Sequence, residues 1–214
     1  MDLQKYDNNS WVIYSNEKNI SGSVTSYSII TDKLVRQFEI ETSQLHITLT
    51  KSLFKSHMIN SYHGIGHTVR VMWNAFLIAS IDKTVSNSML PSVLYASLIH
   101  DLWKNSDTEG EIHGENSAIL YKSKIEQLCS QEDAMFILEA VKYHSIDDSK
   151  TPSAVQRNKI WEILKDADAL DRSRLPGRGC NPAFLRNKLF SSKDGKEILL
   201  IAKELPSLSC DCSW

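Results

Sequence analysis

The chain has 214 residues, 42% of them hydrophobic and 23% charged, with a formal net charge of −2. That length and composition suit one soluble domain with a buried core. They exclude a sequence-independent grip on nucleic acid, which needs a strongly basic field, and no apolar stretch is long enough to span a bilayer.

In chain order, the first 40 residues read as β structure. Ser23–Ile30 and Leu34–Ile40 are rich in β-branched and aromatic residues and are separated by Thr31-Asp32-Lys33, which predicts a hairpin, with Trp11–Tyr14 as an added short strand. From Thr42 the apolar spacing becomes helical. Gln44–His57 places Leu45, Ile47, Leu49, Leu53 and Phe54 roughly on one face, and Thr68–Ile81 is strongly apolar after the breaks at Gly64 and Gly66. Pro91 suits the first turn of a helix running to His100-Asp101. His113–Leu128 follows, with Ala118, Ile119, Leu120, Ile125 and Leu128 inward, then helices over Ala134–Tyr143, Lys159–Asp168, Phe184–Leu189 and Lys196–Leu205. The expected organisation is an N-terminal extension over 1–50, a helical domain over 51–205 and a flexible tail over 206–214.

The N-terminus (Met1–Asp7) lacks the basic start and apolar region of a secretory signal, so a cytoplasmic protein with no membrane partner is expected. Cys129, Cys180, Cys210 and Cys212 are too scattered for a disulfide framework, and Cys210-Asp211-Cys212 reads as incidental thiols on a frayed end.

The chemistry-bearing residues sit where predicted apolar helices begin or end. His67 opens one, the adjacent pair His100-Asp101 closes another, and His113, His144 and Asp168 stand at three more such points. Polar groups from several helix ends can converge on one cavity, and bundles build metal sites in this way. Imidazole nitrogen and carboxylate oxygen are ligands for iron, manganese, zinc, magnesium and nickel. Singly, each has a duller reading as a packed histidine or a helix cap, and His46 and His57 keep that reading. Near the same points, His63 precedes His67 by four residues and Lys104 follows His100 by four. Arg172, Arg174 and Arg178 cluster after Asp168, as forked cations suited to phosphate. Asp107, Glu109 and Asp147 are candidate proton carriers.

Three stretches taken together resemble a family. His67-Thr-Val-Arg-Val71, Leu98-Ile-His100-Asp101 and Lys165-Asp-Ala-Asp168-Ala-Leu-Asp171 are similar, in order, to the H…HD…D motifs of the HD-domain metal-dependent phosphohydrolases, over residues 60–190. His63-Gly-Ile-Gly-His67 resembles a subgroup bearing an HGxxH element. The resemblance implies a mainly α fold, an HD-domain helical bundle carrying the N-terminal hairpin as a small extension. It implies His67, His100, Asp101 and Asp168 as metal ligands, with Asp166 as the reserve for the last. Members with two more histidines between HD and the last Asp usually hold a second ion. His113 and His144 fill those places, with Asp101 bridging, so one or two divalent ions are implied (Mn, Fe, Mg, Zn or Ni).

The implied activity is hydrolysis of a small phosphorylated substrate, a nucleotide foremost, by metal-activated water. Asp101, His63 and Lys104 would serve catalysis, and His63, Lys104, Arg172, Arg174 and Arg178 would contact substrate. No sequence-specific nucleic-acid partner is expected, and a homo-oligomer is compatible with the sequence. The same six-ligand set also resembles that of the superfamily's di-iron oxygenases, and a third reading is a non-catalytic module that binds metal or nucleotide. Tyr95, Trp103 and Tyr143 could stack a base, though aromatics beside buried helices are more often core.

Overall fold

A computed structural model describes residues 2–5, 11–14, 29, 32–175 and 179–208. Among these the chain is mainly helical: α1 Asp32–Ser43, α2 Ile65–Ile81, α3 Leu90–Ile99, α4 Ile112–Leu128, α5 Gln131–Tyr143, α6 Ser153–Gln156, α7 Lys159–Asp171 and α8 Lys193–Leu208. Two short strands, β1 Asp2–Lys5 and β2 Trp11–Tyr14, pair antiparallel with Leu3 opposite Ile13.

The predicted hairpin is corrected in its second arm, because Leu34–Ile40 lies inside α1. Its β-branched residues hide a helical spacing. Val35 and Phe38 both fall on the buried face, and Phe38 stands edge-on to Trp73 with ring centroids 4.9 Å apart. The first arm, 23–30, lies outside the described residues apart from Ile29. Gln44–His57 is likewise not a helix; only 3-10 turns form at Lys51–Leu53 and Ser56–Met58. The helix expected over Phe184–Leu189 is replaced by 3-10 turns at Pro182–Phe184 and Lys188–Ser191. Ile119 and Leu120 face solvent, at 67% and 50% exposure, so the inward face of α4 is narrower than its apolar content suggested. α8 continues to Leu208, past the expected boundary at 205, and the Cys210-Asp211-Cys212 tail lies outside the described residues.

α2 is apolar on nearly every side, with Val71, Trp73, Ala75, Phe76, Leu77 and Ile78 enclosed. A helix of that kind belongs at the centre of a bundle. α3 and α7 pack on α2, α5 packs on α3, α4 and α7, and α8 covers α2 and α7. The helix starts have local causes. Pro91 occupies the first turn of α3. Ser130 accepts the Asp133 amide (3.1 Å) at the head of α5, and Asn158 accepts the Ile160 amide (3.0 Å) at the head of α7.

Candidate metal centre

The bundle brings five helix ends together. His67 lies in the first turn of α2 and His113 in the first turn of α4. His100 and His144 are the residues that close α3 and α5, Asp101 follows His100, and Asp168 lies in the last turn of α7. Two glycines make the approach possible. A Cβ on Gly64, the residue before α2, would strike the carbonyls of Met58 and Ile59, so only glycine lets the 58–64 turn fold back on that helix. A Cβ on Gly114 would lie 2.6 Å from the Val141 carbonyl and 3.0 Å from His144 Nδ1, so α4 meets the end of α5 closely enough to set His113 beside His144.

The six ligands expected from the sequence converge. Asp101 sits between two pairs of imidazoles. Its Oδ1 is 3.1 Å from His113 Nε2 and 3.3 Å from His144 Nε2, and its Oδ2 is 3.4 Å from His67 Nε2 and 3.6 Å from His100 Nε2. His67 Nε2 lies 3.2 Å from His100 Nε2 and 3.4 Å from Asp168 Oδ1, and His113 Nε2 lies 3.1 Å from His144 Nε2. The donor atoms of His67, His100 and Asp168 all fall within 4.8 Å of one another, as do those of His100, Asp101 and His144. The four histidines and Asp101 are buried, while the Asp168 side chain keeps 21% exposure.

The other ring nitrogens decide what this cluster can do. A backbone carbonyl can only accept, so a ring nitrogen facing one carries the hydrogen. His100 Nδ1 donates to the Ser97 carbonyl (2.7 Å), His113 Nδ1 to Gly110 (2.5 Å) and His144 Nδ1 to Val141 (2.7 Å). Each neutral ring therefore turns a bare Nε2 lone pair inward. His67 Nδ1 donates to the Asp171 carboxylate (2.7 Å), which is in turn held by Arg70 Nε (2.6 Å) and Arg174 Nε (2.6 Å). A carboxylate behind a metal-binding imidazole fixes its tautomer and raises its basicity. Asp101 Oδ1 is buried and receives no hydrogen bond. Converging lone pairs, with a carboxylate oxygen among them that receives no hydrogen bond, form an arrangement that a cation would satisfy. The nitrogen and oxygen donors suit a divalent ion, and these buried groups could hold one.

Burial would lower His67, but the hydrogen bonds it donates to Asp101 and Asp171 outweigh it and raise the ring to about 9, so at neutral pH and without an ion its Nε2 carries a proton that a metal would have to displace. Burial pushes His100 down to about 3 despite the Asp101 charge beside it. Burial opposes the charge on Asp101, yet the surrounding imidazoles hold it well below the usual carboxylate range. Asp168 is held low in the same way, chiefly by His67 and His100 against burial. Three of the five helix ends at the cluster, those of α3, α5 and α7, are C-terminal, and their partial negative charge favours a cation there, opposed by the N-terminal ends of α2 and α4.

The remaining candidates separate. His63 stacks edge-on to His67 at 5.3 Å and donates from Nδ1 to Asp107 (2.8 Å). Lys104 is buried with Nζ 4.0 Å from Asp101 Oδ2. Arg172, 61% exposed, reaches within 3.7 Å of Asp168 Oδ2. Arg174 is engaged by Asp171 and by the Tyr62 carbonyl (2.5 Å), and Arg178 lies outside the described residues. Asp166 turns away from the cluster and accepts the Arg186 and Asn187 amides (3.0 and 2.8 Å). Glu109 holds Asn105, and Asp147 caps the turn at Asp148–Lys150. Tyr95 is buried and accepts the His46 amide (3.2 Å). Trp103 and Tyr143 lie under the ammonium groups of Lys55 and Lys142.

Sequence reasoning did not single out Asp171 or Arg70. The available signal was an acid three residues after Asp168 and an arginine three after His67, one helical turn on from each ligand. No family model, curated protein or solved structure matches the chain.

Proposed function

We propose that the chain is a metal-dependent phosphohydrolase of the HD-domain type, acting on a nucleotide or another small phosphate ester. The observation that carries this reading is the inward turn of four imidazole Nε2 atoms around the orphaned carboxylate of Asp101, with Asp168 at the rim. His67, His100, Asp101 and Asp168 would hold one ion, and His113 and His144 with the other oxygen of Asp101 a second. A bound divalent ion would neutralise phosphoryl charge and supply an activated water at neutral pH.

The chain's own groups would do the rest. The Lys104 ammonium, buried beside Asp101, meets anionic charge at the floor of the site, and Arg172 meets it at the rim. His63, with Nδ1–H committed to Asp107, would act through Nε2, taking up a proton there before giving it to the leaving oxygen. Arg174 keeps the Tyr62–His63 turn in register with His67 by bonding Tyr62 and Asp171 together.

A second reading rests on the same donor set. Four imidazoles and two carboxylates, with no thiolate, also suit iron in an O₂-using site. The test starts with elemental analysis of protein purified without added metal. A screen follows of nucleotides, cyclic dinucleotides and simple phosphate esters with Mn, Mg, Fe, Ni or Zn. Release of phosphate or of a nucleoside monophosphate, lost on chelation, supports hydrolysis. Protein that binds no divalent ion, or that turns over no ester while its iron form consumes O₂, refutes it.

A further inference from the structure

Outside the cluster, a connected polar assembly lies where α7 meets the end of α5. Trp161 and Lys165, one turn apart on α7, take hold of the chain on either side of His144. Trp161 Nε1 donates to the Tyr143 carbonyl (3.1 Å), one residue before His144, and Lys165 Nζ donates to the Ile146 carbonyl (2.5 Å), two residues after it. Lys165 Nζ also pairs with Asp148 (2.7 Å) and lies over the Trp161 ring at 5.1 Å. Arg186 completes the assembly. Its guanidinium takes Asp148 through Nε and Nη2 (2.9 and 2.7 Å) and Asp166 through Nη1 (3.2 Å), and it too lies over Trp161.

The bracketed turn reaches on to the other histidine. Ser145 Oγ donates to the Glu111 carbonyl (2.9 Å), two residues before His113, and Lys150 Nζ meets the Glu111 carboxylate (3.0 Å). The Lys150–Glu111 pair is exposed and weakly held. The Trp161 and Lys165 contacts are sheltered, where a lost hydrogen bond leaves an unsatisfied carbonyl. His67 and His100 are gripped by neither side chain.

We propose that Trp161 and Lys165 are positioning residues for His144 and, through Ser145 and Glu111, for His113, so that they set the affinity of the second ion without setting that of the first. The affinity half of this rests on the proposed metal centre; the bracket itself does not. By holding the backbone on either side of His144, the bracket keeps its ring in reach of the Val141 carbonyl, an orientation that can be read with no ion present.

The test uses the full chain and the variants Lys165→Met and Trp161→Phe, the second removing the indole N–H together with its five-membered ring while keeping an aromatic ring in place. In metal-free protein, long-range proton–nitrogen spectra of ¹⁵N-histidine should show His144 fixed as the Nδ1–H form in wild type. Both variants should average its two forms while His100 stays fixed. In manganese titrations wild type should take up two ions, and Lys165→Met should weaken the second at least tenfold while leaving the first within about twofold. Lys165→Arg, which keeps a donor near both acceptors, should recover most of the loss. If Lys165→Met fails to fold, Trp161→Phe carries the same readings in milder form. His144 spectra unchanged in the variants overturn the bracket. An altered His144 with both ions bound as in wild type overturns its link to the second ion. Wild type that shows the bracket but binds no manganese removes the proposed centre instead.

Discussion

Asp101 touches both halves of the cluster, since Oδ1 faces His113 and His144 while Oδ2 faces His67 and His100. Asp101→Asn keeps the volume but puts N–H hydrogens where a cation would sit, so metal content measured by elemental analysis should fall below one ion per chain with the helical signal retained. Asp171 acts one step back. Asp171→Asn leaves every proposed ligand in place but weakens the acceptor behind His67 and frees Arg70 and Arg174 from their shared anion. Loss of such a partner typically lowers metal affinity about 10–100-fold, and a competition titration against a chelator would show it. The convergence of the six candidates was legible in the sequence because a family-like order of His and Asp stood at helix ends. The orientations of His100, His113 and His144 were not, because each depends on a carbonyl three residues back in the same chain, a contact that only folded backbone geometry creates.

Among the elements, α4 and α5 meet where Gly114 leaves no room for a side chain. Gly114→Ala forces the two helices apart at the point that pairs His113 with His144. Overpacking of this kind costs about 1–3 kcal/mol, to be read from the midpoint of a urea titration. A second junction joins α2, α7 and the stretch before α8. Asp82, just past the end of α2, accepts Asn187 Nδ2 (2.7 Å) and Thr84 Oγ1 (2.7 Å) and pairs with Lys159 Nζ (2.9 Å). Burial opposes its charge, but Lys159, Thr84 and Asn187 outweigh that and hold the carboxyl well below its ordinary value. A depressed folded-state pKa stabilises fully above the unfolded value, about 3.9, and that contribution is lost progressively as pH falls from there toward the lower folded-state value. Denaturation between pH 7 and pH 3 should therefore show a fall in stability below about pH 4, and Asp82→Asn should be less stable at pH 7 with a shallower fall.

α2, α3, α5 and α7 were readable from apolar period because their buried faces are wide, whereas the short α6 was missed and the helix expected over Phe184–Leu189 is replaced by 3-10 turns. The same rule failed at Leu34–Ile40, where β-branched content masked a helical face. It failed again at Gln44–His57, where evenly placed leucines fall on short turns, and at Ile119 and Leu120, where none of the described residues covers α4.

At the scale of the molecule, α2, α3, α5 and α7 form one bundle with the cluster at a shared end, so an ion there ties together elements far apart in sequence. His67 and Asp171, bonded directly, are 104 positions apart. A ligand that binds only the folded state adds about 2.7 kcal/mol at a hundredfold excess over Kd. For a chain of this length that corresponds to a rise in Tm of roughly 5–10 °C. Calorimetry in manganese and in a chelator should show that gap, and Asp101→Asn should abolish it.

The side chain of Asp168 is the one member of the six that stands partly in water. Beside it stands the solvent-facing guanidinium of Arg172, 3.7 Å from Asp168 Oδ2. An anion reaching that edge from solution would meet a positive charge first, an attraction that weakens as salt is added.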